Sequence, residues 1–273
     1  MDEGWNFGVV LCLIFLGYII ILFSSFLFMV FDEISIAVCG RPLYIHLYLF
    51  PKKISEQEEQ ILRQHIVFYN KLDEKNKKYF RHRMASFIKE QQFIPKENFQ
   101  ITTENKVIIS ATYVMLTFGM RKYLFDVFNK IIIYPDVYFS TINEQYHQGE
   151  FNPRTKSVAF SWKHFYEGFS IDNNNLNLGL HEFTHVIHYK SMKNQDASSL
   201  SFKKHFNNII KDISQPEYKQ RLIKSTYFRI YAYTNQFEFI AVLIEHYFET
   251  PEQFESEFPE LFANVSKLLN HKH

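Results

Sequence analysis

No charged residue interrupts positions 7–31, a run rich in Phe, Leu, Ile and Val with no polar face. A helix over that stretch reaches ~38 Å, more than the ~30 Å of a hydrocarbon core. A cleaved signal peptide needs a basic start, a shorter apolar centre and a small-residue cleavage site. Here the run follows Met1-Asp2-Glu3 and ends in Phe31-Asp32-Glu33. The expected element is therefore an uncleaved membrane-spanning helix, with residues 1–34 as the anchor. No Lys or Arg precedes the run, and Arg41, Lys52 and Lys53 follow it. By the positive-inside rule the C-terminal bulk is expected in the cytoplasm, on a single-pass protein of the inner (cytoplasmic) membrane. Residues 35–54, with the apolar run Leu43 to Leu49, read as a membrane-proximal linker or strand.

Beyond position 55 the apolar residues recur with gaps of three and four, which predicts amphipathic helices. Ser55-Glu56-Gln57-Glu58 reads as a capping box in front of Ile61, Leu62, Ile66 and Tyr69. Lys71 to Lys78 is charged and solvated. A helix is predicted from Tyr79 to Phe93, with Phe80, Met84, Phe87 and Ile88 as its stripe. Thr102 or Thr103 is placed to cap the next one, which runs through Val107, Ile108, Ala111, Met115 and Leu116 and closes at Gly119. A short helix is expected at Tyr123–Phe128. The pattern then shortens. Lys130–Tyr134, stopped by Pro135, reads as a buried strand. Gly149, Asn152 and Pro153 mark a turn, and Ser157–Trp162 reads as a second strand, positioned to align an extended peptide by main-chain pairing. A short helix covers Trp162 to Gly168. Later helices are signalled by Ser214 and Pro216, by Thr234 or Asn235, and by Thr250-Pro251-Glu252-Gln253. Helices outnumber strands, so the fold class is α+β.

Composition narrows the partners. With 30 basic and 29 acidic residues among 273, the formal net charge is +1, and no basic stripe argues for nucleic acid. Only two cysteines occur. Cys12 lies in the apolar run, so Cys12 and Cys39 do not make a disulfide framework.

The chemistry concentrates in Leu178-Gly179-Leu180-His181-Glu182-Phe183-Thr184-His185, which contains H-E-x-x-H. On a helix His181 and His185 stand one turn apart, so both imidazoles reach one ion. Glu182 points about a quarter-turn away, where it can take a proton from water as a general base. Asp172 or one of Asn173, Asn174 and Asn175 is expected to cap this helix. A catalytic zinc wants a third protein ligand. The H-E-x-x-H-x-x-G-x-x-H pattern is excluded, because its last two fixed positions hold His188 and Ser191. His188, one turn beyond His185, reads as a packing residue or one that touches a ligand. A carboxylate from a later helix remains, and both Glu238 and Glu245 are available on one apolar helix.

Asn177-x-x-x-His181-Glu182-Phe183-x-His185 and Glu238-Phe239-x-Ala241-Val242-x-x-Glu245-x-x-Phe248 together resemble the Mlc titration factor A family of zinc-dependent peptidases. Ser161-Trp162 and Tyr134-Pro135 fit the same pattern, and the resemblance runs from about Leu43 to Leu269. It implies a mainly helical, zincin-like metallopeptidase domain at 55–270, with a small sheet beside the metal helix. It also implies a gluzincin site: zinc on His181, His185 and Glu238, Glu182 as general base, and Tyr231 stabilising the oxyanion or holding substrate. Two features depart from the family. His188 stands where an aspartate is usual, and the membrane segment is absent from the best-known member. The implied activity is peptide-bond hydrolysis, aminopeptidase-like on short peptides, with a peptide or protein as substrate. The alternative is a membrane-tethered protein that captures a transcriptional repressor, with a largely structural zinc site. Pure binding has no use for Glu182.

Overall fold

The computed structural model of the chain describes residues 7–39, 42–140, 144–171 and 173–271. They form two compact units, Met1–Ile45 and His46–His273.

In the first unit, α1 (Phe7–Cys39) is long and apolar enough to cross a membrane, and none of its most apolar window is buried. At 1.5 Å per residue it is ~50 Å long. It contains the predicted span and continues beyond it through Asp32. Within this unit the Leu43 amide donates to Asp32 Oδ1 at 2.9 Å, and the Phe28 and Tyr44 rings lie 5.5 Å apart. The orientation signals Met1-Asp2-Glu3 and Arg41 lie outside the described residues.

The second unit is mostly helical, with a small mixed sheet. Its elements begin with α2 (Glu56–His65), α3 (Val67–Lys71), α4 (Glu74–Glu90), β1 (Gln92–Pro95) and α5 (Thr103–Thr117). The capping box predicted at Ser55 is formed, and a second one joins Thr102 to Asn105. The helix predicted at Tyr79–Phe93 begins earlier, capped by Asp73, and ends earlier, because Phe93 pairs with Ile131 as part of a strand. Gly119 follows α5 as expected, but for a packing reason. A Cβ there would meet the carbonyl oxygens of Leu269 at 2.1 Å and Asn270 at 2.6 Å. No helix forms at Tyr123–Phe128. Its backbone and rings serve tertiary contacts instead: the Tyr123 carbonyl accepts from Tyr113, and Phe125 and Phe128 are buried.

The chain continues through β2 (Lys130–Tyr134), β3 (Tyr138–Ser140), β4 (Gln145–His147), β5 (Gly149–Asn152) and β6 (Ser157–Ser161). The four-stranded sheet has the order β1-β2-β6-β5, with the first three parallel and β5 antiparallel. β3 and β4 form a separate hairpin. Gly149, expected in a turn, starts β5, Asn152 ends it, and the turn falls on Pro153 to Lys156. β6 lies between β2 and β5, so both of its edges are already paired. It cannot align a peptide, and the outer strand on that side is β5.

The remaining elements are α6 (Trp162–Ser170), α7 (Leu178–Lys193), α8 (Ala197–Ile213), α9 (Pro216–Ser225), a 3-10 turn (Ile230–Tyr233), α10 (Gln236–Glu249), α11 (Pro251–Glu257) and α12 (Pro259–Leu269). α8 fills a stretch where no element was predicted, and Ser214 caps its C-terminus instead of starting α9. Asn235 caps α10, accepting from the amides of Phe237 and Glu238. Thr250 makes no capping bond to α11. Its hydroxyl donates to Asn175 Oδ1 at 2.9 Å, and the terminal stretch breaks into α11 and α12 at Pro259.

Candidate metal centre

α7 is the buried axis of this unit, packed by α5, α6, α8 and α10. Phe183, Val186 and Ile187 are fully buried. The cap is not among the residues expected for it. Asn177 supplies it, accepting from the Leu180 amide at 3.0 Å. Asn175 instead takes a left-handed conformation with φ 54°, and Asp172 lies outside the described residues.

α7 places His181 and His185 on one face, with their rings 4.7 Å apart. α10 brings Glu238 to the same point. Its Oε2 lies 2.9 Å from His181 Nε2, and its Oε1 lies 3.6 Å from His185 Nε2. Each of the three residues offers one ligand atom within 4.8 Å of the others. Among the described residues this is the group of His, Cys, Asp or Glu side chains arranged to hold a metal ion. Glu238 and Glu245, left open by spacing alone, occupy different places. Glu245 is buried on the other side of His181, its Oε1 2.7 Å from Nδ1. Glu238 alone faces both Nε2 atoms.

The electrostatics suit a cation. Burial would lower the His181 imidazole, but the adjacent carboxylates of Glu238 and then Glu245 outweigh it and push it up to about 10. Burial would raise Glu238, but His181 and then His185 hold it well below the usual carboxylate range. Glu238 Oε2 is buried and, despite its closeness to His181, lacks a well-aligned hydrogen bond. An imidazole with a carboxylate at each nitrogen is satisfied as imidazolium. It is equally satisfied as a neutral ligand when a cation takes the place between Nε2 and Glu238. Two imidazoles and one carboxylate are also one of the donor sets found at catalytic zinc.

Glu182 is buried beside this cluster. Burial raises its carboxyl above the ordinary range, against the opposing pull of His185 and His181, and the Phe151 amide of β5 donates to it. Gly149 allows that approach. A Cβ there would meet Glu182 Cγ and Leu178 Cδ1 at 2.8 Å. Tyr231, in the 3-10 turn, is half-exposed, with its ring 6.0 Å from that of His181. Its hydroxyl is within hydrogen-bonding range of Glu238, and burial followed by that carboxylate pushes it up to about 12.

His188 is not part of the cluster. It is buried among Phe202, Phe206 and Phe237, with ring distances of 6.1, 4.7 and 4.7 Å. Sequence reasoning did not reach Arg229 or the role of Gly149. Arg229 donates to Glu245 and to the Asn175 carbonyl, partners 16 and 54 positions away that no local pattern links.

Comparison with known proteins agrees with this geometry. The chain is similar to the uncharacterized protein slr2042 of Synechocystis sp., at 22% identity over 237 residues, covering 80% of this chain and 85% of the relative. Residues 47–269, nearly the whole second unit, match the profile of the glucose-regulated metallo-peptidase M90. The chain belongs to the M90 metallo-peptidase family, that of Mlc titration factor A.

Proposed function

We propose that the protein is a membrane-anchored, zinc-dependent peptidase of the gluzincin type, aminopeptidase-like on short peptides. One observation carries this reading: two imidazoles and a carboxylate converge within 4.8 Å, with a buried carboxylate on the same helix beside them. His181, His185 and Glu238 hold the ion. When bound, zinc supplies Lewis acidity, polarising a peptide carbonyl and easing deprotonation of water.

The remaining roles belong to the chain. Glu182 takes the proton of the attacking water and returns it to the leaving amine. Burial raises the basicity of its carboxylate, which favours that exchange. The Tyr231 hydroxyl, held in protonated form, donates to the oxygen on which charge develops. The outer strand β5, beside Glu182, aligns an extended substrate. α1 tethers this machinery to the bilayer, with the peptidase unit on the cytoplasmic side.

Glu182→Gln tests the mechanism, because it preserves shape and removes the base. Expected is a wild-type metal content with peptide hydrolysis reduced by about 10²–10⁴-fold. Unchanged turnover removes Glu182 from the chemistry.

A further inference from the structure

One guanidinium reaches several parts of the site without belonging to the ligand set. Arg229 immediately precedes the 3-10 turn that carries Tyr231. Its Nη2 donates to Glu245 Oε1 at 3.0 Å. Its Nη1 donates both to Glu245 Oε2 and to the carbonyl of Asn175. The guanidinium carbon lies 5.8 Å from the centre of the Tyr231 ring. Glu245 is only 1% exposed, and it contacts His181 Nδ1 at 2.7 Å. Asn175 is two residues before the cap of α7, in the left-handed conformation that turns the chain into the helix.

We propose that Arg229 is a positioning residue of the metal centre. It fixes the Glu245 carboxylate so that this carboxylate fixes His181, and it ties both to the entry of α7 and to Tyr231. A two-pronged guanidinium–carboxylate contact sets the plane of the carboxylate as well as its distance. With Glu245 oriented, the His181 Nδ1–H has one acceptor, and the Nε2 lone pair is directed toward Glu238 and His185. The second Nη1 contact holds the Asn175 carbonyl, and so the start of the helix that carries both histidines. A lysine carries the same charge but cannot hold two carboxylate oxygens and a carbonyl from one rigid plane. Neutralising a buried carboxylate is a lesser task, which lysine can perform. The two substitutions therefore separate positioning from charge balance. This inference rests on the metal-hydrolase reading above.

The test uses the full-length protein in detergent as wild type, Arg229→Met, Arg229→Lys, Glu245→Gln and the Arg229→Met/Glu245→Gln double variant. The readouts are zinc affinity by chelator competition, the visible spectrum of the cobalt-substituted protein, and kcat and KM separately. Expected for Arg229→Met is a zinc affinity about 10–100-fold weaker, an altered cobalt spectrum, and a loss in kcat larger than any rise in KM. Arg229→Lys should recover only part of the affinity, and the double variant should be little worse than either single one. Wild-type affinity and spectrum in Arg229→Met overturn the proposal, and so does full recovery by lysine. If Arg229→Met does not fold, Arg229→Lys decides: wild-type affinity, spectrum and kcat overturn the proposal, and a partial loss supports it. A wild type that binds no zinc defeats the metal-hydrolase reading itself. A wild type that binds zinc, with unaffected Arg229 variants, defeats this proposal alone.

Discussion

His188 stands one turn beyond a metal-site histidine yet does a different task. Its ring is buried against Phe206 and Phe237, and its Nε2 has no hydrogen-bond partner among the described residues. Burial, aided by the charge of His185, pushes the ring down to about 4 from an ordinary value of 6.5. Between those values the unfolded chain binds a proton that the folded protein refuses. The contribution of this ring to stability is therefore full above pH 6.5 and falls as pH drops toward 4. Half-buried His46, pushed down to about 3, and buried His246, pushed down to about 4, act in the same direction. Allowing for partial solvent contact, His188 accounts for about 1–2 kcal/mol of that loss. His188→Leu should reduce the fall in melting temperature between pH 7 and pH 5, and an equal fall in both proteins refutes this account. At this scale the sequence was informative about residue types and blind to pairings. The histidines of H-E-x-x-H announce themselves by spacing. Glu238 and Glu245 look alike until the fold puts one at Nε2 and the other at Nδ1 of the same imidazole.

The element that most constrains the chemistry is β5, because it runs past the middle of α7 with almost no clearance. Gly149→Ala would place a methyl 2.9 Å from Glu182 Oε1 as well as against its Cγ. The carboxylate is the flexible partner, so it should move and the fold should tolerate the change. Expected is a loss of hydrolysis of about 10–100-fold with zinc retained and little change in melting temperature. Unaltered kcat would show that β5 does not confine the base. The helix starts at Ser55, Thr102 and Asn235 were readable because capping is local: a side chain meets an amide two or three residues on. α8 was equally readable, with Asp196 as its cap and Phe202, Phe206 and Ile209 at helical spacing. The hairpin β3–β4 was not, since strands of three residues are too short to show alternation. Phe93 fits a helical stripe and a strand equally, and its pairing with Ile131 decided the matter. At Tyr123–Phe128, tertiary packing of buried rings prevailed over local helical preference.

Across the whole chain, the two units differ in where their apolar side chains lie. The second unit buries its large apolar side chains around α5, α7 and α10, whereas α1 exposes nearly all of its own. So long an apolar surface is stable in lipid and not in water. The full-length protein should stay with the membrane through carbonate extraction, and protease added outside sealed cells should spare the second unit. Release by carbonate contradicts the anchor, and digestion from outside contradicts the orientation. The chemistry depends on one feature of the second unit, the meeting of α7 with α10. The most direct test is metal content at saturating zinc, followed by dialysis, for wild type, Glu238→Ala and Glu245→Gln. The account predicts about one zinc per chain in wild type, close to none in Glu238→Ala, and weaker but measurable loading in Glu245→Gln. Equal loading of wild type and Glu238→Ala, or a wild type without metal, would contradict it.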